Sequence, residues 1–355
     1  MALAGHVAVT LRAARVIGGT FAIALLGVAL FHWIAMPLPW LLGPIFACLA
    51  AALAGVQLGG IKLLNESMRT ILGVAVGATL TPAVLATFPA MWPTLLLVPV
   101  MILCIGGIGL PYFQRLCGFD FPTAYYSAMP GGLQDMIIFG EEAGGDVRAI
   151  SLIHATRVLV IVVALPFLLI GIWDTDLSNP PGVPANAIPI HEMGLMVICG
   201  IVGWRLAKRV GLFGASILGP LILTGALTMT GGLQNRPPAE AIWAAQFFIG
   251  MSIGIKYVGI TLEEIRRDLA AGLGFCLILI ALTLVFVEAI CGLGLAPGME
   301  ALLAFAPGGQ AELTVLALIV GADMAFVVAH HILRIVAVII GAPFAARMFD
   351  PGSKR

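Results

Sequence analysis

Pro130-Gly131-Gly132, Asp135, His154 and Arg157 recur as Pro307-Gly308-Gly309, Glu312, His331 and Arg334, each displaced by 177 positions. In so apolar a chain these residues could do chemistry. Proline has no N–H to give and clashes with the preceding helical turn, and paired glycines relax a helix. Each Pro-Gly-Gly therefore predicts a broken helix whose second half starts with unpaired N–H groups. Such an end carries roughly half a positive charge and attracts anions. Asp135 and Glu312 follow in the first turn of those half-helices. Each either caps its own helix start or holds a cation or proton at the break. His154 with Arg157, and His331 with Arg334, stand three apart and share one helix face. An arginine inside a membrane span needs a partner, and Asp135 and Glu312 are the candidates by charge. Such a pair would fix the fold. The alternative is a substrate-binding arginine, or a histidine that titrates during transport.

Other repeated residues read as positioning elements. Asp146 and Asp323 precede the His-Arg helices and suit N-caps. Gly73 with Gly77, and Gly250 with Gly254, form GxxxG patterns that favour close helix packing. Leu42-Gly43-Pro44 and Leu218-Gly219-Pro220, offset by 176, put a kink early in matching helices. His330 lies about 100° round the helix from His331, so the two would not clamp one metal. The six cysteines are scattered with no CxxC pair, which predicts neither disulfide nor metal site.

The elements that hold these residues must lie in lipid. Of 355 residues, 61% are hydrophobic and 10% charged, too few to build a water-facing surface. The net charge is zero, which leaves no electrostatic footprint for nucleic acid. Apolar runs at 16–34, 40–58, 68–87, 94–112, 149–171, 191–206, 213–230, 242–258, 270–292 and 325–346 predict ten transmembrane helices. The first reads as an uncleaved signal-anchor behind Arg12 and Arg15. Segments 121–142 and 300–320 contain the breaks. If both fold back as re-entrant hairpins, fifteen Lys and Arg residues fall on the cytoplasmic side and Arg236 alone outside. If both cross, the split is nine against seven. The positive-inside rule prefers the hairpins and cytoplasmic termini. Five spans per copy then invert the second copy relative to the first. The expected organisation is repeat 1 at 12–171, an external linker at 172–190 and repeat 2 at 191–348, all α-helical.

Ala128-Met129-Pro130-Gly131-Gly132-Leu133-Gln134-Asp135-Met136 and Ala306-Pro307-Gly308-Gly309-Gln310-Ala311-Glu312, with Gly321-Ala322-Asp323 and His330-His331-Ile332-Leu333-Arg334, resemble the duplicated signature of the AbrB-type membrane protein family. Pro39-Trp40-Leu41-Leu42-Gly43-Pro44 fits as well. The resemblance covers nearly the whole chain and implies a bacterial inner-membrane protein. Some members are labelled ammonia monooxygenase, others regulators of gene expression. Nothing in the chain resembles the small DNA-binding regulator of the same name. The acidic position departs from strict repetition, being Asp135 in one copy and Glu312 in the other.

A monooxygenase needs converging imidazoles, and of six histidines only His154 with His330 or His331 could converge. No phosphate-cradling Gly-Lys-Ser/Thr loop points to ATP. The reading is a secondary transporter for a small anion or zwitterion. Its site is Pro130, Gly131, Gly132, Asp135, His154, Arg157 and their six counterparts. It has no catalytic residue, metal or cofactor, and an oligomer is compatible. The alternative is a membrane sensor acting indirectly on gene expression.

Overall fold

A computed structural model describes residues 2–82, 86, 88–177, 180–212 and 214–349. Of the basic residues in the topology count, the side chains of Arg12 and Arg347 and the whole of Lys354 and Arg355 lie outside the described part. Among the described residues every regular element is helical. The first copy contributes α1 (Ala2–Trp33), α2 (Pro39–Leu53), α3 (Lys62–Gly77), α4 (Trp92–Pro111), α5 (Phe121–Ala128), α6 (Leu133–Glu142) and α7 (Val147–Trp173). The second contributes α8 (Ile190–Arg209), α9 (Ala215–Met229), α10 (Ala239–Ile255), α11 (Ala270–Gly292), α12 (Gly298–Phe305), α13 (Gln310–Ile319) and α14 (Met324–Phe349).

Helix ends follow local chemistry. The Asp146 carboxylate accepts from the N–H groups of Arg148 and Ala149 at 3.0 and 3.1 Å, and Asp323 accepts from Phe326 N–H at 3.1 Å. Both are the N-caps that the sequence predicts. Gly144 (φ +80°) and Gly321 (φ +69°) stop α6 and α13 in the left-handed conformation. The following N–H then reaches back to Gly140 O at 2.7 Å and to Ala317 O at 3.0 Å.

Among the described residues six segments are long and apolar enough to cross a membrane: Ala13–Trp33, Pro89–Leu116, Val147–Trp173, Ile190–Arg209, Leu262–Gly292 and Met324–Ala346. This is an all-α, multi-pass membrane protein. Four expected spans are shorter than the sequence suggests. The runs at 40–58, 68–87, 213–230 and 242–258 contribute α2, α3, α9 and α10, with 15, 16, 15 and 17 residues; positions 83–85, 87 and 213 of these runs lie outside the described residues. At 1.5 Å per residue they are only about 22–26 Å long. Apolar turn residues extend these runs past the helix ends; Val56 N–H, for example, bonds back to Ala51 O at 2.9 Å.

The helices sort into two compact units that cut across the duplication. One comprises residues 1–85, 174–260 and 318–320, and so holds α1–α3 with α8–α10. The other comprises 86–173, 261–317 and 321–355, and so holds α4–α7 with α11, α12 and α14. Each unit takes matching helices from both copies.

Inside the first unit the GxxxG helices exchange partners. Gly73 and Gly77 of α3 seat on α9 at Ile217 and Leu221, while Gly250 and Gly254 of α10 seat on α2 at Leu41 and Ile45. Such i-to-j and j-to-i contacts mark a two-fold pair. A Cβ on Gly77 would lie 2.6 Å from Leu221 O, and on Gly254 2.9 Å from Ile45 O. Those neighbours are backbone and cannot rotate away. Gly77→Val is therefore expected to destabilise the protein by about 1–3 kcal/mol through overpacking. Gly107→Val, with no atom within 4 Å of its Cβ position, is the control. Equal unfolding temperatures for the two variants in detergent would refute the packing role.

Candidate binding site at the paired helix breaks

Both breaks belong to the second unit. Ala128 ends α5, Met129 turns to ψ 132°, and Gly132 (φ −67°, ψ 140°) restarts the chain as α6. Ala306 (φ −59°, ψ 125°) repeats the turn after α12. These dihedrals suit any residue, so what glycine supplies here is room. A Cβ on Gly131 would lie 2.9 Å from Val338 Cγ1 of α14, and one on Gly308 3.0 Å from Ile161 Cγ2 of α7. Val338 and Ile161 are themselves 177 apart. Each break thus rests against the His-Arg helix of the other copy.

Unwinding leaves the last carbonyls of α5 and α12 without helical partners. The arginines take them. Arg157 Nη1 donates to Met129 O at 3.2 Å and Nη2 to Gly131 O at 3.0 Å. Arg334 Nη1 donates to Ala306 O at 2.7 Å and Nη2 to Gly308 O at 3.0 Å. The planar fork spans two acceptors at once, and its positive charge faces the negative end of a half-helix. His154 Nε2 bonds Tyr126 O at 2.8 Å, and His331 Nε2 bonds Leu303 O at 2.9 Å. A carbonyl only accepts, so Nε2 carries the proton in both rings. All four side chains are buried, the histidines completely.

These contacts correct one expectation. Asp135 and Glu312 are not the partners of Arg157 and Arg334. The ion pairs Arg148–Glu264 at 2.5 Å and Arg267–Asp268 at 3.9 Å involve neither arginine of the breaks. Carbonyls freed by the break sit closer to the guanidinium than either carboxylate. Asp135 is half-buried. Glu312 is buried, and its carboxylate folds over the Cα of Gly309, where a Cβ would overlap it. Nε of Arg157 and of Arg334 has no hydrogen-bond partner among the described residues.

The same contacts fix direction. Asp146 N–H donates to Thr123 Oγ1 at 2.7 Å, His154 meets Tyr126, and Arg157 meets Met129 and Gly131. Hence α5 and α7 run side by side, and α6 must return between them. The pairings of His331 with Leu303 and Arg334 with Ala306 set α12 parallel to α14 in the same way.

A profile described as "Transition state regulatory protein AbrB" matches residues 40–350, nearly the whole chain. The chain belongs to the AbrB family. It is 26% identical to "Putative regulator AbrB" of Escherichia coli over 331 residues, covering 89% of this chain and 91% of the relative. It is also 26% identical to "Uncharacterized protein YhjN" of Bacillus subtilis over 295 residues, 77% of this chain and 75% of the relative.

In this AbrB-family chain His330 stands apart from the breaks' machinery. Its Nδ1 meets Phe326 O at 2.7 Å and its Nε2 meets Thr94 Oγ1 at 2.9 Å. Sequence reading missed Thr94, because a lone threonine early in an apolar helix carries no signal. Among the described residues no three His, Cys, Asp or Glu side chains gather closely enough to hold a metal ion.

Proposed function

We propose that this AbrB-family protein is an inner-membrane secondary transporter moving a small anionic or zwitterionic solute by alternating access. In this reading its two copies have inverted topology and both breaks are re-entrant. The observation that carries it is the pair of buried guanidiniums at two helix breaks, neither paired with a carboxylate among the described residues. Among the described residues the printed hydrogen bonds of both guanidiniums go to carbonyls, so neither charge is neutralised by direct contact with a carboxylate. Unspent donors there are Nε of each arginine and the first N–H groups of α6 and α13, beside one unspent acceptor, Nδ1 of His331. Donors at a positive site favour an anion or the carboxylate of a zwitterion. The return of α6 beside α5, and the distribution of Lys and Arg, support hairpins over crossings. Irregular backbone at membrane depth is tolerated where it lines a polar cavity, as in many carriers built from inverted repeats.

Asp135 and Glu312, at the starts of α6 and α13, are assigned coupling to a proton or sodium ion. No residue is assigned a catalytic role. The relative in Escherichia coli carries a regulator's name, which favours one second reading: a sensor that binds the same solute and acts indirectly, through cytoplasmic segments such as 205–211 and 259–269.

An uptake screen in proteoliposomes tests the transporter. The expected result is solute accumulation that falls roughly tenfold or more in Arg157→Ala or Arg334→Ala, since a polar group at membrane depth is functional by default. Accumulation insensitive to a proton or sodium gradient in the wild type, or unchanged in Asp135→Asn and Glu312→Gln, would remove the coupling role. Ligand binding with no uptake would favour the sensor. Cysteines at Pro180 and Val210 should label from opposite faces; labelling from one face defeats the inverted topology.

A further inference from the structure

Two helix ends in the second unit widen into π-turns, and a pocket opens between them. Tyr112–Leu116 continues α4, and Ile265–Leu269 leads into α11. In each the hydrogen bond reaches five residues back rather than four. The Tyr112 hydroxyl ties the two together by donating to Ala271 O at 3.0 Å. The pocket has a volume of about 370 Å³, and its walls include Tyr112, Leu116, Arg266, Arg267, Ala270 and Ala271. Two of its lining residues are arginines and none is a carboxylate. A single water needs only about 10–15 Å³, so a phosphate and the group it carries have room.

Arg267 is held in place. Its guanidinium lies 4.4 Å from the centroid of the Phe119 ring, and its Nε stands 3.9 Å from Asp268 Oδ1. That separation is too long for a hydrogen bond, so the fork keeps its donors. Arg266 is exposed and belongs to neither ion pair at this end, Arg148–Glu264 or Arg267–Asp268. Glu264 is turned away, toward Arg148 and the N–H of Thr261. Topology alone asks for basic residues near the end of a span, not for two on the wall of one pocket. The duplication does not repeat them either. At the positions 177 away, Pro89 and Ala90 stand for Arg266 and Arg267, and Ala289 stands for Tyr112. The charged wall therefore belongs to one face of the protein only.

We infer that this pocket holds the phosphate of an anionic phospholipid. The inference needs the chain to lie in a bilayer but does not depend on transport. Guanidiniums match phosphate oxygens in charge and in the spacing of their donors. Place decides for a lipid over a free anion. The apolar segment Pro89–Leu116 ends at the pocket, and Leu262–Gly292 begins there. Leu116 at the rim is 79% exposed. A free phosphate leaves that leucine bare, whereas the first carbons of an acyl chain cover it. The distribution of Lys and Arg sets this end at the cytoplasmic leaflet, where basic pockets between membrane helices take anionic headgroups.

Native mass spectrometry of the purified protein in detergent tests this, by titration with phosphatidylglycerol, phosphatidylcholine of the same chains, and glycerol 3-phosphate. Each arginine beside an anionic headgroup is worth roughly fivefold in binding. Phosphatidylglycerol should therefore bind about tenfold or more tighter than phosphatidylcholine. Arg266→Gln should weaken it about fivefold, and Arg266→Gln with Arg267→Gln should bring it down to the level of phosphatidylcholine. The single variant changes an exposed residue and gives the answer even if the double one misfolds. Lys62→Gln with Arg209→Gln removes two exposed charges of the other unit and should change nothing. Equal binding of the two lipids, or wild-type phosphatidylglycerol binding in both arginine variants, overturns the inference. So does an equal loss in the Lys62 and Arg209 control. Displacement of phosphatidylglycerol by an equal concentration of glycerol 3-phosphate would make the ligand a free phosphate and overturn the lipid assignment.

Discussion

Replacing Arg334 with methionine is expected to destabilise the protein by about 2–4 kcal/mol, and Arg157→Met by a similar amount. Two effects oppose each other. Removing a buried guanidinium relieves its desolvation, which alone would stabilise. It also orphans two carbonyls, Ala306 O and Gly308 O, in a buried site. Each orphan costs about 1–3 kcal/mol, and water has little access to repair it. The second effect wins because methionine keeps the stem's volume but offers no donor. Arg334→Lys should fall between, since one point charge cannot fork to two acceptors. Thermal or denaturant unfolding in detergent measures the order: wild type above Lys above Met. A methionine variant as stable as the wild type would show that the carbonyls do not need the arginine.

Closing the first break should be more damaging still. In Pro130-Gly131-Gly132→Ala-Ala-Ala, local preference for a continuous helix rises by roughly 5 kcal/mol, about 3 from proline and 1 from each glycine. A continuous helix over 121–142 would spend Met129 O and Gly131 O on its own ladder. Arg157 would then be buried with no acceptor, and a Cβ at position 131 would press on Val338. Uptake should fall by roughly tenfold or more, in line with the cost of an unmet charge at membrane depth. The coupling gives the sharper signature. Arg157→Met should harm the wild type yet stabilise the triple-alanine variant, because there it removes an uncompensated charge. Simple additivity of the two changes in an unfolding experiment would refute the link between arginine and break.

Much of this arrangement was legible in the chain. Pro-Gly-Gly fixes where a helix must break, Asp146 and Asp323 fix where the next begins, and GxxxG fixes which faces meet closely. These signals are local, set by a missing donor, a capping oxygen or an absent Cβ. Illegible parts depend on backbone atoms or on distant helices. Arg157 and Asp135 look like partners because letters display side-chain charge; the carbonyls of Met129 and Gly131 have no letter. The lengths of α2, α3, α9 and α10 were overestimated because apolar turn residues read like helix. The sorting of α1–α3 with α8–α10 is tertiary, and no pattern within one copy announces it.

The brevity of α2, α3, α9 and α10 has a consequence for the surrounding lipid. Helices of 15–17 residues reach about 22–26 Å, against roughly 30 Å of hydrocarbon. Where such a helix crosses the bilayer, the acyl layer next to it must pinch, or interfacial water must descend to its ends. Hydrophobic mismatch of this kind shortens the oily barrier on that flank.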